Sequence, residues 1–310
     1  MRNERTGWTR REWLRATAAG TLQAAALTGA KAHAAAPARL GVQLYTVRES
    51  LKTRARVTLQ AIAEIGYKEL EVGRNDLSTV VPIAKTLGLT AVSTHIEAPL
   101  VTGNWNAWPD VARSTPAGDR SLAKALEAAR GHGITYAAVS YLQPSERGTT
   151  AAAYETFADQ LNRGGETARA AGVTLAYHNH GFEFVPLADG RRPLDVLVAR
   201  LDPALVKLEL DVFWVSIAGA DPAELLAKYK GHVALLHLKD KAKDAPRETD
   251  EAKVAKTAFT EVGNGALDVP AIVKAAQMAH VAHYFVEQDH TPGDPIDSLR
   301  RSYEYLQGLA

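Results

Sequence analysis

Cysteine is absent from all 310 residues, which rules out disulfides and thiolate metal sites at once. The Ala-rich stretch from Ala16 to Ala30 is too short, and too poor in Leu, Ile and Val, to span a bilayer. No stable membrane anchor is therefore expected. The chain also lacks a Gly-rich phosphate turn where a dinucleotide fold would place one: Gly41-Val42-Gln43-Leu44-Tyr45 does not match G-x-G-x-x-G. Nor is there an excess of positive charge. The whole chain carries +1, and taking residues 1–34 away removes six of 36 basic and two of 35 acidic side chains. That leaves 30 against 33, a net −3. Such a surface offers no electrostatic footprint for nucleic acid or anionic lipid.

What is present begins with a leader-like segment. Thr9-Arg10-Arg11-Glu12-Trp13-Leu14-Arg15 resembles the twin-arginine export motif, and an uncharged Ala-rich stretch follows it. Lys31 and the small-residue run Ala32-His33-Ala34-Ala35 complete a charged region, a weak apolar region and a cleavage site in the expected order. The expectation is a signal over 1–34 that engages the twin-arginine export machinery, a periplasmic or otherwise exported protein, and one domain over 35–310. Without disulfides an exported domain must rest on its core, and 46% hydrophobic content suffices for one large core.

From Leu40 onward short apolar runs alternate with longer helical ones. Strands are predicted at 40–45, 68–73, 89–95, 134–140, 173–178, 206–211, 233–238 and 283–287. Amphipathic helices are predicted between them, as at 55–65, 77–87, 119–131, 151–171, 221–230 and 268–279. Gly66, Gly88, Gly133 and Gly172 fall where helix C-caps would lead into the next strand. Eight such units over about 250 residues predict an α/β fold, a (β/α)8 TIM barrel. A doubly wound open sheet is the alternative. Residues 99–118 and the highly charged 239–264 interrupt the alternation after strands three and seven. Each reads as a loop at the active-site end, and the middle of the second equally as a solvated excursion.

Four polar residues stand where predicted strands run out: Glu183, Asp211, His237 and Glu287. Carboxylates and an imidazole from four parallel strands converge only at a common mouth, and they form a ligand set for a hard or borderline divalent cation. The fifth strand leaves alternatives open. Tyr177-His178-Asn179-His180-Gly181-Phe182-Glu183 offers Glu183, His178 or His180 as the fourth ligand. Gln43, Tyr45, Glu71, His95, His180 and Trp214 supply a polar and aromatic ring suited to a polyhydroxylated ligand, with Trp214 or Trp105 to stack on a sugar face.

GVQLYTVR at 41–48, AYHNHGFEF at 176–184, LDVFWVSIAGADP at 210–222, LLHLKD at 235–240 and FVEQD at 285–289 together resemble the sugar phosphate isomerase/epimerase family. This is the xylose-isomerase-like TIM-barrel group that includes D-tagatose 3-epimerase and inosose dehydratase. The resemblance implies a Glu–Asp–His–Glu metal site carried onto Asp211, His237 and Glu287, with Glu183 for the first ligand. Mn2+ is the implied ion, with Mg2+, Co2+ or Zn2+ as alternatives. It also implies proton transfer next to a sugar carbonyl: Glu287 as base, Glu183 on the opposite face, Lys239 beside the developing oxyanion and His178 as an acid/base group. An isomerase or epimerase is expected. A dehydratase or lyase sharing the first step is the nearest alternative. A non-catalytic sugar-binding protein and an endonuclease-IV-like phosphodiesterase stand further off. A small carbohydrate is the expected partner, and homo-oligomerisation is left open.

Overall fold

The predicted apolar runs become eight parallel strands because each carries outward side chains that helices can cover and inward ones that fill an axis. The computed structural model describes residues 36, 37 and 39–309; the predicted export signal over 1–34 lies outside the described residues. The barrel strands are β1 (Leu40–Gln43), β2 (Glu69–Gly73), β3 (Thr90–Ile96), β4 (Tyr136–Val139), β5 (Thr174–His178), β6 (Val206–Asp211), β7 (Val233–Leu238) and β10 (His283–Val286). They close in the order β1-β10-β7-β6-β5-β4-β3-β2, all pairs parallel. A two-residue antiparallel ribbon, β8 (Asp240–Lys241) with β9 (Phe259–Thr260), stands outside the barrel.

Outward residues such as Val42, Leu70, Leu208, Leu210 and Leu236 are buried with Leu59 and Ile62 of the helix Arg48–Ile65 and with the other surrounding helices. Each fully buried aliphatic side chain of this kind stabilises the fold by about 1.5–3 kcal/mol. The helices are capped by their own sequence. Asp221 accepts from the amides of Ala223 and Glu224, and Gly88 takes φ +73° just before β3.

Inside the barrel the layers differ in chemistry. Phe285 fills the axis with Val92, Ala138, Ala176, Ala234 and Leu235. Gly41 makes room for it, since a Cβ there would lie 2.5 Å from the Phe285 ring. Two residues further along their strands the inward positions turn polar: Gln43, His178, His237 and Glu287. The apolar layer is thus the floor beneath a polar mouth.

Two of the expected segments differ in detail. Residues 99–118 hold short helical turns, Pro99–Thr102, Trp105–Ala107, Pro109–Ser114 and Ala117–Asp119, in place of an irregular loop. Residues 239–264 are anchored along their length. The Glu248 amide donates to the Ile217 carbonyl, and Glu251 pairs with Arg147 at 3.0 Å. Arg147 also donates to Tyr141 and lies over the Phe182 ring, tying three loops of the mouth together. No helix among the described residues is long and apolar enough to cross a membrane.

Candidate metal centre at the mouth of the barrel

Strand register sets the site. Asp211 ends β6 directly opposite His237 of β7, and His237 stands opposite Phe285 of β10, two residues before Glu287. One ligand atom each from Asp211, His237 and Glu287 lies within 4.8 Å of the others, and all three side chains are buried. His237 Nδ1 is 2.8 Å from Glu287 Oε2 and 3.9 Å from Asp211 Oδ2. Asp211 divides its labour: Oδ1 caps the following helix through the amides of Phe213 and Trp214, and Oδ2 faces the group. Its backbone N–H is held by Asn179 Oδ1.

From the fifth strand His178 approaches this group on its Asp211 side. Its Nε2 lies 3.8 Å from Asp211 Oδ2, the same oxygen that His237 Nδ1 approaches. Glu183 takes no part in this group. β5 stops at His178, and a turn at Phe182–Phe184 folds Glu183 back, so that its carboxylate accepts from Tyr177 Oη at 2.6 Å and from the His180 amide at 2.9 Å. Burial pushes its pKa up to about 8 against those bonds. The expectation of Glu183 as a strand-end ligand therefore meets a different placement: a buried carboxylate bracing its own turn.

Lys239 is the cation of the site as it stands. Its ammonium is 3% exposed and sits 2.9 Å from Asp211 Oδ2, 2.7 Å from Glu287 Oε2 and 2.8 Å from Asp289 Oδ1. Burial works against its charge, and these carboxylates outweigh burial and hold it protonated. In return Glu287, despite burial, is kept well below the usual carboxylate range by Lys239 and His237. Burial raises Asp211 to about 6 and also raises Asp289, and the mouth gathers these two carboxylates and Glu287 around the single ammonium of Lys239.

A second group adjoins this one and shares His237 with it. Glu71 accepts from Ser93 Oγ at 2.5 Å and from Gln43 Nε2 at 3.2 Å, and is 2.6 Å from His237 Nε2. Glu209 is 2.9 Å from His95 Nε2 and 3.1 Å from His178 Nδ1. Burial and Glu71 push Glu209 up, but the surrounding imidazoles of His237, His95 and His178 bring it down to about 2. Gln43 and Glu71, expected to bind substrate, are instead 2% and 0% exposed and engaged with one another. The period-two alternation places them inward, where they are spent on one another and on the neighbouring imidazoles. His95 is partly exposed above them.

The remaining expected residues line the rim. The His180 ring packs between Tyr141 and Trp214, with centroids at 5.0 and 5.2 Å. Burial, and next Lys239, lower its pKa and keep it neutral. Three buried atoms here have no hydrogen-bond partner: Asn179 Nδ2, His180 Nδ1 and Trp214 Nε1. Buried polar atoms are rarely left so. Tyr45 is half exposed just past β1, with Arg48 stacked 3.9 Å over its ring. Trp105 lies in the 99–118 segment beneath Arg120.

A closed parallel barrel with this mouth invites comparison with known proteins. The family described as xylose isomerase-like TIM barrel matches residues 59–308. The chain belongs to that family. Among curated relatives, an inosose dehydratase from Clostridium perfringens is 30% identical over 163 residues, half of this chain and 54% of that protein. The match thus spans about half the length of such relatives. A sugar phosphate isomerase/epimerase from Parabacteroides distasonis superposes with a TM-score of 0.71 at 23% identity, covering 87% of this chain and 93% of that one. The IOLI protein with a bound zinc atom superposes with a TM-score of 0.65 at 15% identity, covering 87% and 98%. At such identities the structural likeness establishes the fold. Fold and relatives together make this an enzyme-family barrel with a possible metal site.

Sequence reasoning passed over Glu209, Asp289 and Asn179. The signal for Glu209 was present: Lys207, Glu209 and Asp211 alternate, so Glu209 shares the inward face of Asp211.

Proposed function

We propose that this protein is a metal-dependent enzyme that moves a proton at the carbon next to the carbonyl of a sugar or cyclitol. The observation carrying the proposal is the convergence of Asp211 Oδ2, His237 Nδ1 and Glu287 Oε2 within 4.8 Å, with His178 Nε2 at 3.8 Å from Asp211. Two carboxylates and two imidazoles fit a borderline ion such as Zn2+, Co2+ or Mn2+ better than Mg2+, which prefers oxygen alone. The carboxylates gathered at the mouth fit a divalent cation too, and a solved relative of this fold carries zinc. When bound, such an ion supplies Lewis acidity toward a carbonyl oxygen and offsets the charge that develops on deprotonation.

The chain's own residues do the rest. Glu287, kept ionised by Lys239 and His237, is the carboxylate placed to take the proton. Asn179, His180 and Trp214 offer unmet hydrogen-bonding atoms to hydroxyls, and the Trp214 and Tyr141 rings wall the space in which a polyol would stack. Neutral His180 can hydrogen-bond a substrate oxygen.

Returning the proton to carbon gives epimerisation or isomerisation. Loss of a neighbouring hydroxyl, protonated as it leaves, gives dehydration. The inosose dehydratase relatives favour the second outcome, in which the proton taken from carbon leaves with the hydroxyl as water. The test is to load the protein with Mn2+, Co2+ or Zn2+ and incubate it in D2O with a panel of keto-sugars and inososes. Deuterium at the carbon next to the carbonyl with the skeleton intact identifies an epimerase or isomerase. Loss of water identifies a dehydratase. No exchange with any member of the panel, with metal bound, contradicts the proposal.

A further inference from the structure

The interior carboxylates have a role that follows from hydrogen-bond direction. Gln43 Oε1 accepts from the Tyr45 amide at 2.8 Å, which fixes the side-chain amide and points its NH2 at Glu71 Oε2 and at His95 Nδ1, 3.0 Å away. His95 Nδ1 is therefore an acceptor. Its flanking carboxylates favour an imidazolium, its pKa being drawn to about 10 against burial. A proton on Nδ1, however, would face the amide NH2, so the geometry decides for the neutral form with the proton on Nε2. That N–H points at Glu209 Oε2 and Glu71 Oε2, at 2.9 and 3.1 Å.

Glu71, accepting from Ser93 and Gln43, is an acceptor toward His237 as well, so His237 carries a proton on Nε2. Glu209, ionised, likewise accepts from His178, so His178 carries its proton on Nδ1. His178 thus points its N–H inward and Nε2 toward Asp211; His237 points Nε2–H inward and Nδ1 toward Glu287 Oε2 and Asp211 Oδ2, at 2.8 and 3.9 Å, where the proton it carries toward Glu287 is the one an incoming cation replaces.

We propose that Glu71 and Glu209 are positioning residues: by holding the inward N–H of His237 and His178 they present His237 Nδ1 and His178 Nε2 as the metal-binding nitrogens. The inference rests on the metal reading above and deepens it. It also settles the function of the interior group. His95, His178, Glu209 and His237 cluster tightly enough to suggest a second ion. But His95 has its Nδ1 taken by Gln43 and a proton on Nε2, so it has no lone pair to give, and the chain should bind one ion.

The experiment combines competition against a chelator, using Zn2+ alone, with 15N NMR of protein labelled at histidine. In the wild type one ion should bind per chain, with His237 coordinated through Nδ1 and His178 through Nε2. Glu71→Gln and Glu209→Gln should each weaken Zn2+ affinity about 10–100-fold, the usual effect of removing a carboxylate behind a ligating histidine. Glu69→Gln is the control: the same strand and similar burial, but paired with Arg39 and His283 away from the mouth, so affinity should not change. Ser93→Ala, a milder change that removes only one bond to Glu71, should weaken affinity slightly if Glu71→Gln fails to fold. Wild-type affinity in both Gln variants, coordination through the inward nitrogens, or two ions per chain would overturn the assignment. Should the wild type bind no Zn2+, the metal reading itself fails. The metal-free spectrum then still tests the positioning, which requires the Nδ1–H form of His178 in the wild type and its loss in Glu209→Gln.

Discussion

His178→Gln and Glu183→Gln are opposite predictions on one strand. The His178 ring presents Nε2 to Asp211 at 3.8 Å, whereas Glu183 is spent on Tyr177 Oη and the His180 amide. A four-ligand zinc-type site gains about 10–16 kcal/mol in all. An even share is therefore roughly 3 kcal/mol per ligand, or about 100-fold in affinity, since each 1.4 kcal/mol is tenfold. His178→Gln should weaken Zn2+ or Mn2+ binding by about that factor. Glu183→Gln should leave metal affinity within a few-fold of wild type. It should instead cost about 1–3 kcal/mol of stability, because the amide has one accepting oxygen where the carboxylate has two, so either the Tyr177 O–H or the His180 N–H loses its acceptor. Chelator-competition titrations with thermal melts on the same samples read both quantities. If Glu183→Gln strips the metal and His178→Gln keeps it, the fifth-strand ligand is misassigned and the fold-back of Glu183 is not the state that binds metal.

Three further outcomes are expected. Lys239 occupies the centre of the carboxylates a cation must use, so Lys239→Met should tighten divalent-ion binding while lowering the melting temperature of the metal-free protein, since breaking a buried ion pair costs about 3–5 kcal/mol; unchanged affinity in a metal titration would argue against competition. Glu183, raised by burial to about 8 from the ordinary glutamate value of about 4.5, holds its proton more tightly folded than unfolded. Its contribution is thus fully present below about pH 4.5 and is lost as pH rises toward 8, by several kcal/mol; denaturant melts across that window should show the loss in wild type and a flatter profile in Glu183→Gln. Replacing Arg10 and Arg11 with lysine in the full chain should keep the protein cytoplasmic, and a periplasmic variant by fractionation would refute the proposed export route.

The barrel was legible because its strands are apolar runs set off by helical periodicity and by glycines at the turns. The carboxylates of the candidate site were legible for a related reason. Asp211 and Glu287 interrupt apolar runs at strand exits, where an unpaired charge would be costly, and His237 stands in the same layer. Glu183 misled because the sequence does not reveal that Gly181 begins a turn and that Phe182–Phe184 reverses the carboxylate onto Tyr177. Glu71 and Gln43 were read as ligand-facing but are spent on partners inside the barrel, since alternation gives the face of a strand and not the side chains that neighbouring strands bring to it. Glu209 was hidden in VKLELD because Asp211 gave a sufficient reason for an acid there. The role of Lys239 as a caged cation depends on Asp289 and Glu287 reaching across from the end of β10, a contact 50 residues away.

The central claim is the location of the metal, and anomalous diffraction from crystals soaked in Zn2+ or Mn2+ tests it most directly. The account predicts one anomalous peak per chain, bound by Asp211, Glu287, His237 Nδ1 and His178 Nε2, with Lys239 displaced from Asp211. A peak among His95, Glu209 and His237 in the barrel interior, a peak at Glu183, or no peak at the mouth would contradict it.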